Sequence, residues 1–388
     1  MKNICLIMPN VFPVPAVKGG ATESLITNLL EKNEIEKKIN FTCISVYDEK
    51  AEIESKKFKY TEFIYIKNER KSNNEIDLTF TTLDIYFKNY MDQIYEKIKN
   101  REFDYIIIEG GDITGYEYLL KHFPKEKCLV HIHGNVLGDN KKNLEIYNYF
   151  IAISKFTKEL IMRDKIVPEN RIKLLYNAIN LDDFKKEISA EEKEVLRKKY
   201  GIDKDDNVII FFGRTIEPKG VRELMKAFKQ MKNIDKSKLL IVGNSNYSAE
   251  VKTEYDLELE ELSKGIEDKI KFTGYVNNKE LYKIHNIADI AVIPSLWEEL
   301  FGLVVVEAME SKLPLIITNR GGMPEIVNKK CSFIVEKDEN LVLNISKYLD
   351  YLVEHPEKRK EMGEEGRKRA ELFGMDEYYK NFLNLINE

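Results

Sequence analysis

The sequence predicts an α/β protein built from two domains, each with a doubly wound parallel sheet. Short apolar runs alternate with helix-like segments, which is the pattern of parallel sheets covered by helices on both faces. The alternation stops at a charged stretch, residues 182–201, and then restarts. The chain has 388 residues, which is long for one such domain and ample for two.

The first half of the chain supplies the first predicted domain, residues 1–183. Its strands are predicted over 4–8, 42–46, 63–66, 105–109, 129–133 and 150–153, each an apolar run of the kind that parallel sheets bury. Helices are predicted over 21–31, 86–99 and 155–162. The domain is expected to end in the charged stretch, because that stretch has too few apolar residues to continue a core.

The second half repeats the alternation and predicts a second domain over residues 184–370. Its strands are predicted over 208–212, 239–242, 270–272, 290–293, 315–317 and 332–335, with helices that include 221–231 and 257–263. The tail, residues 357–387, reads as helical. Its last part, 371–388, carries the aromatic residues Tyr378, Tyr379 and Phe382 and is predicted as a separate C-terminal helix.

The composition describes a soluble globular protein, with 43% hydrophobic and 33% charged residues. A net charge of −5 gives no reason to expect nucleic-acid binding. No apolar run is long enough to span a bilayer, and the one near the N-terminus is too short for a signal peptide. The four cysteines show no CxxC spacing. Buried free thiols in a reducing cytoplasm are therefore predicted.

Two glutamates are the most informative residues of the second half. Glu299 and Glu307 bracket seven residues within 294–309 (PSLWEELFGLVVVEAM), where a predicted strand turns into a helix. A helix N-terminus binds anions, so a carboxylate placed there is expected to face neutral groups such as sugar hydroxyls. Glu307 lies on a largely apolar helix and needs partners, which ribose hydroxyls would supply. The plainer alternative is an N-capping acid followed by a solvated helix residue.

Two cations follow the first strand of the second predicted domain. Arg214 and Lys219 lie within residues 213–220 (GRTIEPKG). Ligands of doubly wound sheets bind beyond the carboxyl ends of the strands, so both side chains are expected at the same mouth as the Glu299 turn. Two cations beside a helix N-terminus suit a diphosphate leaving group. The alternative is a pair of solvated loop residues.

These strings resemble the E-x7-E signature of the family 4 glycosyltransferases, which are retaining enzymes with the GT-B architecture of two Rossmann-like domains. The resemblance extends to residues 314–325 (PLIITNRGGMPE) and, more weakly, to Gly19-Gly20, so that it spans nearly the whole chain. Residues 12–21 (FPVPAVKGGA) look closest to bacterial surface-glycan and spore-coat members.

The resemblance implies a site between the two domains and roles for several residues. The implied catalytic groups are Glu299, His133, Arg214 and Lys219. The implied donor site consists of Gly20, Arg214, Lys219, Val276, Glu299, Phe301, Gly302, Leu303 and Glu307. In that site Val276 would hold the base through its backbone, and the amides of 301–303 would bind the diphosphate. The resemblance also implies that segment 371–388 packs back on the first domain.

Two histidines share one face of the predicted strand 129–133, because His131 and His133 lie two residues apart. The resemblance favours His133, at the strand end, as the active-site histidine, and His131 is expected to be structural. No metal site is predicted. The acidic run 203–206 lacks a second ligand group, whereas Arg214, Lys219 and a helix terminus can neutralise a diphosphate without a metal.

Together, the residues and the resemblance predict a metal-independent hexosyltransferase that needs no cofactor. Its donor would be a nucleotide-diphosphate sugar, with a UDP-sugar favoured, and its acceptor a surface glycan or a lipid-linked saccharide. Transfer would retain the anomeric configuration. Two other classes stay open: a sugar-nucleotide epimerase or glucan phosphorylase-like enzyme on a similar fold, and a non-catalytic structural member. Peripheral contact with the inner face of the membrane and the oligomeric state are also open.

Overall fold

The computed structural model describes residues 1–67, 80–111, 113, 115–134, 144–163, 167–244 and 252–387. The chain forms two compact units. Unit 1 consists of Met1–Asn177 and Met375–Glu388, and unit 2 consists of Ala178–Gly374. Each unit has its own parallel sheet.

Unit 1 is built on a seven-stranded sheet in the order β3-β2-β1-β4-β5-β6-β7. All neighbouring strands are parallel. The strands are β1 (Lys2–Ile7), β2 (Ile39–Val46), β3 (Thr61–Ile66), β4 (Tyr105–Glu109), β5 (Cys128–Ile132), β6 (Tyr149–Ala152) and β7 (Ile172–Leu174). The connecting helices are α1 (Ala21–Glu36), α2 (Glu49–Ser55), α3 (Phe80–Ile98), α4 (Glu117–Leu120) and α5 (Lys155–Met162). The strand order reverses between β1 and β4.

Unit 2 has a six-stranded parallel sheet in the order β10-β9-β8-β11-β12-β13. Its strands are β8 (Asn207–Phe212), β9 (Ser237–Val242), β10 (Ile270–Gly274), β11 (Ile290–Ile293), β12 (Leu315–Thr318) and β13 (Ser332–Val335). Its helices are α6 (Ala190–Lys199), α7 (Val221–Lys229), α8 (Glu254–Ser263), α9 (Asn278–His285), α10 (Leu303–Glu310), α11 (Met323–Ile326), α12 (Leu341–Glu354) and α13 (Pro356–Ala370). Apolar side chains of β8, α7 and α12 form one buried core, with Phe211, Phe228 and Leu349 at most 2% exposed.

A last helix, α14 (Met375–Asn387), belongs to unit 1. The Tyr379 hydroxyl donates to Oδ1 of the buried Asn33 on α1 at 2.6 Å, and the Phe382 ring lies 6.1 Å from that of Phe41. Nζ of Lys32 on α1 pairs with Asp376 at 2.6 Å. Aromatic burial and polar pairing therefore both hold α14 against α1 and β2.

The charged stretch 182–201 is more structured than the sequence predicted. It contains α6, which begins where the Ser189 hydroxyl accepts the Glu192 N–H at 3.1 Å. Strand β7 was not predicted, because three residues are too short to give a periodic signal. A polar helix and a very short strand both lack the apolar periodicity on which sequence prediction depends.

The helical tail is also interrupted. α13 ends at Ala370 and a 3₁₀ turn follows over Glu371–Phe373. Gly374, extended with φ −87° and ψ 163°, then separates this turn from α14, which begins at Met375. Inside unit 2, Gly374 forms an isolated bridge with Ile179. The units accordingly divide at 177/178 and 374/375, where the sequence predicted 183/184 and 370/371.

The four cysteines are buried, and none forms a disulfide, as predicted. Burial raises the pKa of each thiol, that of Cys128 to about 12, so they stay protonated near neutral pH. No helix in the described part of the chain combines the length and apolarity needed to cross a bilayer.

Candidate functional site

The carboxyl ends of the unit 2 strands carry most of the predicted donor residues. The strand order reverses between β8 and β11, and ligands of doubly wound sheets bind in the crevice beside such a reversal. Arg214 and Lys219 follow β8, and Glu299 follows β11. Val276 follows β10, which is the edge strand and is separated from β8 by β9. The sheet therefore brings the first three together and places Val276 further along the same edge.

The loops after β8 and β11 touch through a glycine. Gly220 has φ 72°, and a Cβ added there would lie 1.9 Å from the carbonyl oxygen of Pro294. Beside this contact, the Leu296 N–H donates to the Pro218 carbonyl at 2.7 Å. No L side chain fits between the two loops. The spacing between Lys219 and the Glu299 turn is therefore set by main-chain contact.

Glu299 is held by three donors at a single carboxylate oxygen. Its Oε1 lies 2.5 Å from Lys219 Nζ, and it also accepts from Ser295 Oγ and Trp297 Nε1, each at 2.7 Å. The sequence predicted sugar hydroxyls as its partners. In the structure its Oε1 is paired with the Lys219 cation, which offsets the cost of burying the carboxylate. The side chains of Lys219 and Glu299 are 20% and 15% exposed.

Trp297 joins the two predicted cations and was missed by sequence reasoning. Its ring centroid lies 5.1 Å from Lys219 Nζ and 5.9 Å from the Arg214 guanidinium carbon. Cations placed over an indole are attracted by the negative face of the ring. Trp297 therefore binds Glu299 through its N–H and attracts Arg214 and Lys219 through its ring.

The neighbouring Glu298 fixes the loop after β12. Its two oxygens lie 2.5 Å from Arg320 and from the Gly321 N–H. Gly321 has φ 58°, and an added Cβ would lie 2.0 Å from the Glu299 carbonyl oxygen. The Gly322 N–H donates to that same carbonyl at 2.7 Å. Residues 320–322 therefore support the main chain of the Glu299 turn.

The N-terminus of α10 follows directly. Gly302, with φ 109°, precedes Leu303, the first residue of the helix. The first N–H groups of a helix have no intrahelical acceptor and attract anions. The side chain of Phe301 is buried, with its ring 5.7 Å from that of Phe373. Only the main chain of Phe301 is therefore placed to meet a ligand.

Glu307 lies one turn inside α10, between the buried residues Val306 and Ala308. The side chain is partly buried. Burial raises the pKa of Glu307 to about 7. Its carboxyl group is therefore poised to gain or lose a proton near neutral pH.

In unit 1, Gly20 lies at the start of α1, as predicted, with φ 100°. A Cβ on Gly20 would lie 2.0 Å from Oε2 of Glu23. Glu23 is 5% exposed, and burial raises its pKa. A carboxyl group therefore occupies the space beside Gly20, which the resemblance implied as a donor-binding residue.

A second polar group lies at the carboxyl ends of β4 and β5. Oε2 of Glu109 lies 3.0 Å from His131 Nδ1 and 2.9 Å from His133 Nε2. Glu109 and His131 are fully buried, and the His133 side chain is 7% exposed. Burial opposes ionisation of Glu109, but the two imidazoles outweigh it and lower its pKa. Burial and then His131 lower the pKa of His133 to about 4, against the effect of Glu109.

Sequence reasoning placed His133 at this strand end and missed Glu109. The available signal was an acid that ends a buried strand and precedes two glycines. Gly110 and Gly111 both have positive φ, and the His133 ring packs 3.6 Å from the position of a Cβ on Gly110. Two imidazoles and a carboxylate, with ligand atoms within 4.8 Å of one another, are also a donor set that could hold a metal ion.

Comparisons with known proteins bear on unit 2 and on the whole fold. The family model "Glycosyl transferases group 1" matches residues 192–369. An uncharacterized glycosyltransferase of Methanocaldococcus jannaschii is 31% identical over 55% of this chain and 57% of its own length. The lipopolysaccharide 1,2-N-acetylglucosaminetransferase of Salmonella typhimurium is 26% identical over 60% of this chain and 59% of its own. The chain therefore spans less than two thirds of either relative.

Among solved structures, HepE of Anabaena in complex with UDP-glucose aligns over all of both chains. The TM-score is 0.74 at 16% identity. At that identity the likeness concerns the fold alone. Two parallel-sheet units of this kind, matched over their full length, are the GT-B architecture.

Proposed function

We propose that this chain, a GT-B glycosyltransferase of group 1, transfers a hexose from a nucleoside-diphosphate sugar to a saccharide acceptor with retention at the anomeric carbon. A UDP-sugar is the favoured donor, and a surface glycan or a lipid-linked saccharide is the favoured acceptor. HepE binds UDP-glucose and the Salmonella relative acts on lipopolysaccharide, which supports these two choices.

The observation that carries the proposal is the charge arrangement at the β8–β11 crevice. Two cations, Arg214 and Lys219, converge on Trp297 beside the N-terminus of α10. Negative charge develops on the diphosphate as the sugar–phosphate bond breaks. Fixed cations and helix amides stabilise that charge more in the transition state than in the ground state. These groups can neutralise the diphosphate without a metal ion.

Glu299 has two tasks in this proposal. It holds Lys219 in place at 2.5 Å, and its carboxylate can accept hydrogen bonds from the hydroxyls of the donor sugar. It is a poor candidate for a nucleophile, because the hydrogen bonds from Lys219, Ser295 and Trp297 to its Oε1 withdraw electron density from the carboxylate. A free carboxylate nucleophile is what a double-displacement route requires.

A front-face route fits this arrangement better. The bond between the anomeric carbon and the diphosphate oxygen breaks, and the acceptor oxygen bonds to the same face of that carbon. The acceptor proton passes to the leaving phosphate oxygen. The configuration is retained without a covalent enzyme intermediate, and Arg214 and Lys219 stabilise the departing charge.

Glu307 and Val276 complete the donor site in the proposal. Glu307 accepts hydrogen bonds from the ribose hydroxyls, and the main chain at Val276 holds the base. On unit 1, His133 is assigned to the acceptor. A cytoplasmic location, at the inner membrane face when the acceptor is lipid-linked, belongs to the same proposal.

A panel of nucleoside-diphosphate sugars tests the proposal. Thermal stabilisation and slow hydrolysis would be scored for each sugar, and transfer would be assayed with saccharide acceptors. We expect one donor to stabilise the protein and to be hydrolysed slowly, and Lys219→Ala to lower the rate of that hydrolysis by on the order of 10²–10³-fold. An epimerised nucleotide sugar, or phosphorolysis of a glucan with inorganic phosphate, would replace the proposal with another reaction. Absence of any turnover would favour a non-catalytic role.

A further inference from the structure

We propose that Glu109 is a positioning residue for transfer, holding His133 in the tautomer that offers Nδ1 as a hydrogen-bond acceptor to a hydroxyl of the saccharide acceptor. The inference rests on the proposed function and deepens it. It starts from the geometry at the ends of β4 and β5, where one buried carboxylate oxygen lies 3.0 Å and 2.9 Å from nitrogens of two imidazoles.

The hydrogen-bond pattern decides the tautomer of His133. An ionised carboxylate can only accept, so the His133 nitrogen that faces it must carry the proton. That nitrogen is Nε2, at 2.9 Å from Glu109 Oε2. A neutral imidazole has one N–H, which leaves Nδ1 with an unshared pair. His133 can then accept from a hydroxyl, and it cannot act as a cation for a phosphate.

Glu109 is itself fixed in the sheet. It pairs in register with His131 of the neighbouring strand, and both are fully buried. Two groups in the described part of unit 1 feel the charge of Glu109, Cys43 on β2 and Tyr378 on α14. Burial raises the pKa of both, so neither carries a charge near neutral pH. Within the described residues, the Glu109 carboxylate is therefore stabilised by hydrogen bonds from its two histidines.

The ring of His133 is positioned by packing as well as by its hydrogen bond. It lies over Gly110, where a Cβ would approach it to 3.6 Å, and its centroid is 4.0 Å from that of His131. Loss of the Glu109 bond would leave the ring free to change tautomer. Misplacement of a reacting group by about 1 Å can lower a rate by on the order of 10²-fold.

A zinc site at the same three residues is the competing interpretation, and the surroundings favour it less. Metal-ligating histidines usually donate their other N–H to an acceptor. Nε2 of His131 is buried and has no partner among the described residues. The distances of 2.9 Å and 3.0 Å are also those of ordinary hydrogen bonds. Direct hydrogen bonding accounts for the cluster without an ion.

Nitrogen NMR of the imidazoles tests the tautomer without any substrate. The ¹⁵N shifts of His133, assigned with a His133→Asn variant, are expected to show the Nε2–H form in the wild type near neutral pH. In Glu109→Ala we expect a mixture of the two tautomers. An Nδ1–H form in the wild type would overturn the proposal. The proposal would also be overturned if the wild type bound one zinc ion per chain and Glu109→Gln did not.

Kinetics test the consequence for transfer. We expect Glu109→Gln and Glu109→Ala to lower kcat/KM for the acceptor by about 10–100-fold, while calorimetry shows unchanged UDP affinity. Glu34→Gln is the matched control, because its carboxylate accepts two N–H groups elsewhere in unit 1. Wild-type acceptor kinetics in both Glu109 variants would overturn the inference and leave the proposed function standing. If the wild type transferred sugar from no donor, the proposed function would be contradicted instead. The NMR experiment would still test the tautomer of His133, because it needs no substrate.

Discussion

Replacing Glu307 with glutamine should separate the binding role proposed for its carboxylate from the cost of burying it. Burial raises the pKa of Glu307 from 4.5 to about 7. Between those values the folded protein keeps a proton that the unfolded chain has lost. Because the folded state binds more protons there, stability falls as the pH rises through this window. An amide carries no charge, so Glu307→Gln should remove this part of the pH dependence.

The size of the effect follows from the shift. Each unit of pKa corresponds to about 1.4 kcal/mol. A rise from 4.5 to about 7 therefore corresponds to about 3 kcal/mol. Solvent reaches part of this side chain and screens its charge. We therefore expect the loss of folding stability across this pH window to be about 1–3 kcal/mol. Loss of the charge-assisted bonds to ribose should meanwhile cost about 1.5–3 kcal/mol of UDP binding, or about 10–100-fold in affinity.

Tryptophan fluorescence can follow the folding stability of unit 2 by itself. Trp297 is the single tryptophan of the chain and belongs to unit 2. Urea unfolding would be followed near pH 5 and pH 8, and UDP binding measured by calorimetry near pH 8. The control is Glu357→Gln, an exposed glutamate on α13. If Glu307→Gln kept the wild-type difference in stability between the two pH values, the raised pKa of Glu307 could not be its source. Unchanged UDP affinity would refute the ribose role.

Three further predictions concern the same unit. Arg214→Ala and Lys219→Ala should each lower kcat by on the order of 10²–10³-fold with little change in acceptor KM, and near-normal kcat in steady-state assays would contradict the diphosphate role. Turnover should persist in excess EDTA; loss that Mg²⁺ or Mn²⁺ restores would show a metal requirement. Gly220→Ala should lower the stability of unit 2 by about 2–5 kcal/mol in urea, because it combines a positive φ with a clash against Pro294. Gly265→Ala is its control, since Gly265 has φ 81° and no atom within 4 Å of an added Cβ, and equal effects in the two variants would disprove the clash.

The placement of Arg214, Lys219 and Glu299 could be predicted because each follows a buried parallel strand. Carboxyl ends of parallel strands meet at one edge, so the apolar runs alone indicate which loops share that edge. The pairing of Lys219 with Glu299 could not be predicted in the same way. It depends on the contact of Gly220 with the Pro294 carbonyl, which joins two loops distant in sequence.

Glu109 and Trp297 were missed in the sequence for a related reason. An acid at the end of an apolar run is as compatible with a solvated strand end as with a buried one. Its partners lie on the neighbouring strand, and only the register that sets Glu109 against His131 reveals the cluster. Trp297 lies in a loop without periodicity, and its role depends on side-chain geometry with Arg214 and Lys219.

The return of α14 to unit 1 has a consequence for how the protein is made. During synthesis residues 1–177 leave the ribosome first, yet the helix that packs on α1 and β2 follows some two hundred residues later. Unit 2 is continuous from Ala178 to Gly374 and can complete its fold before α14, the last part of unit 1, has been synthesised. Until then the surfaces of Phe41 and Asn33 lack their cover, and a chaperone that binds nascent chains would find them accessible. Unit 1 can therefore be completed only after the whole of unit 2 has been translated, although most of its residues are translated first.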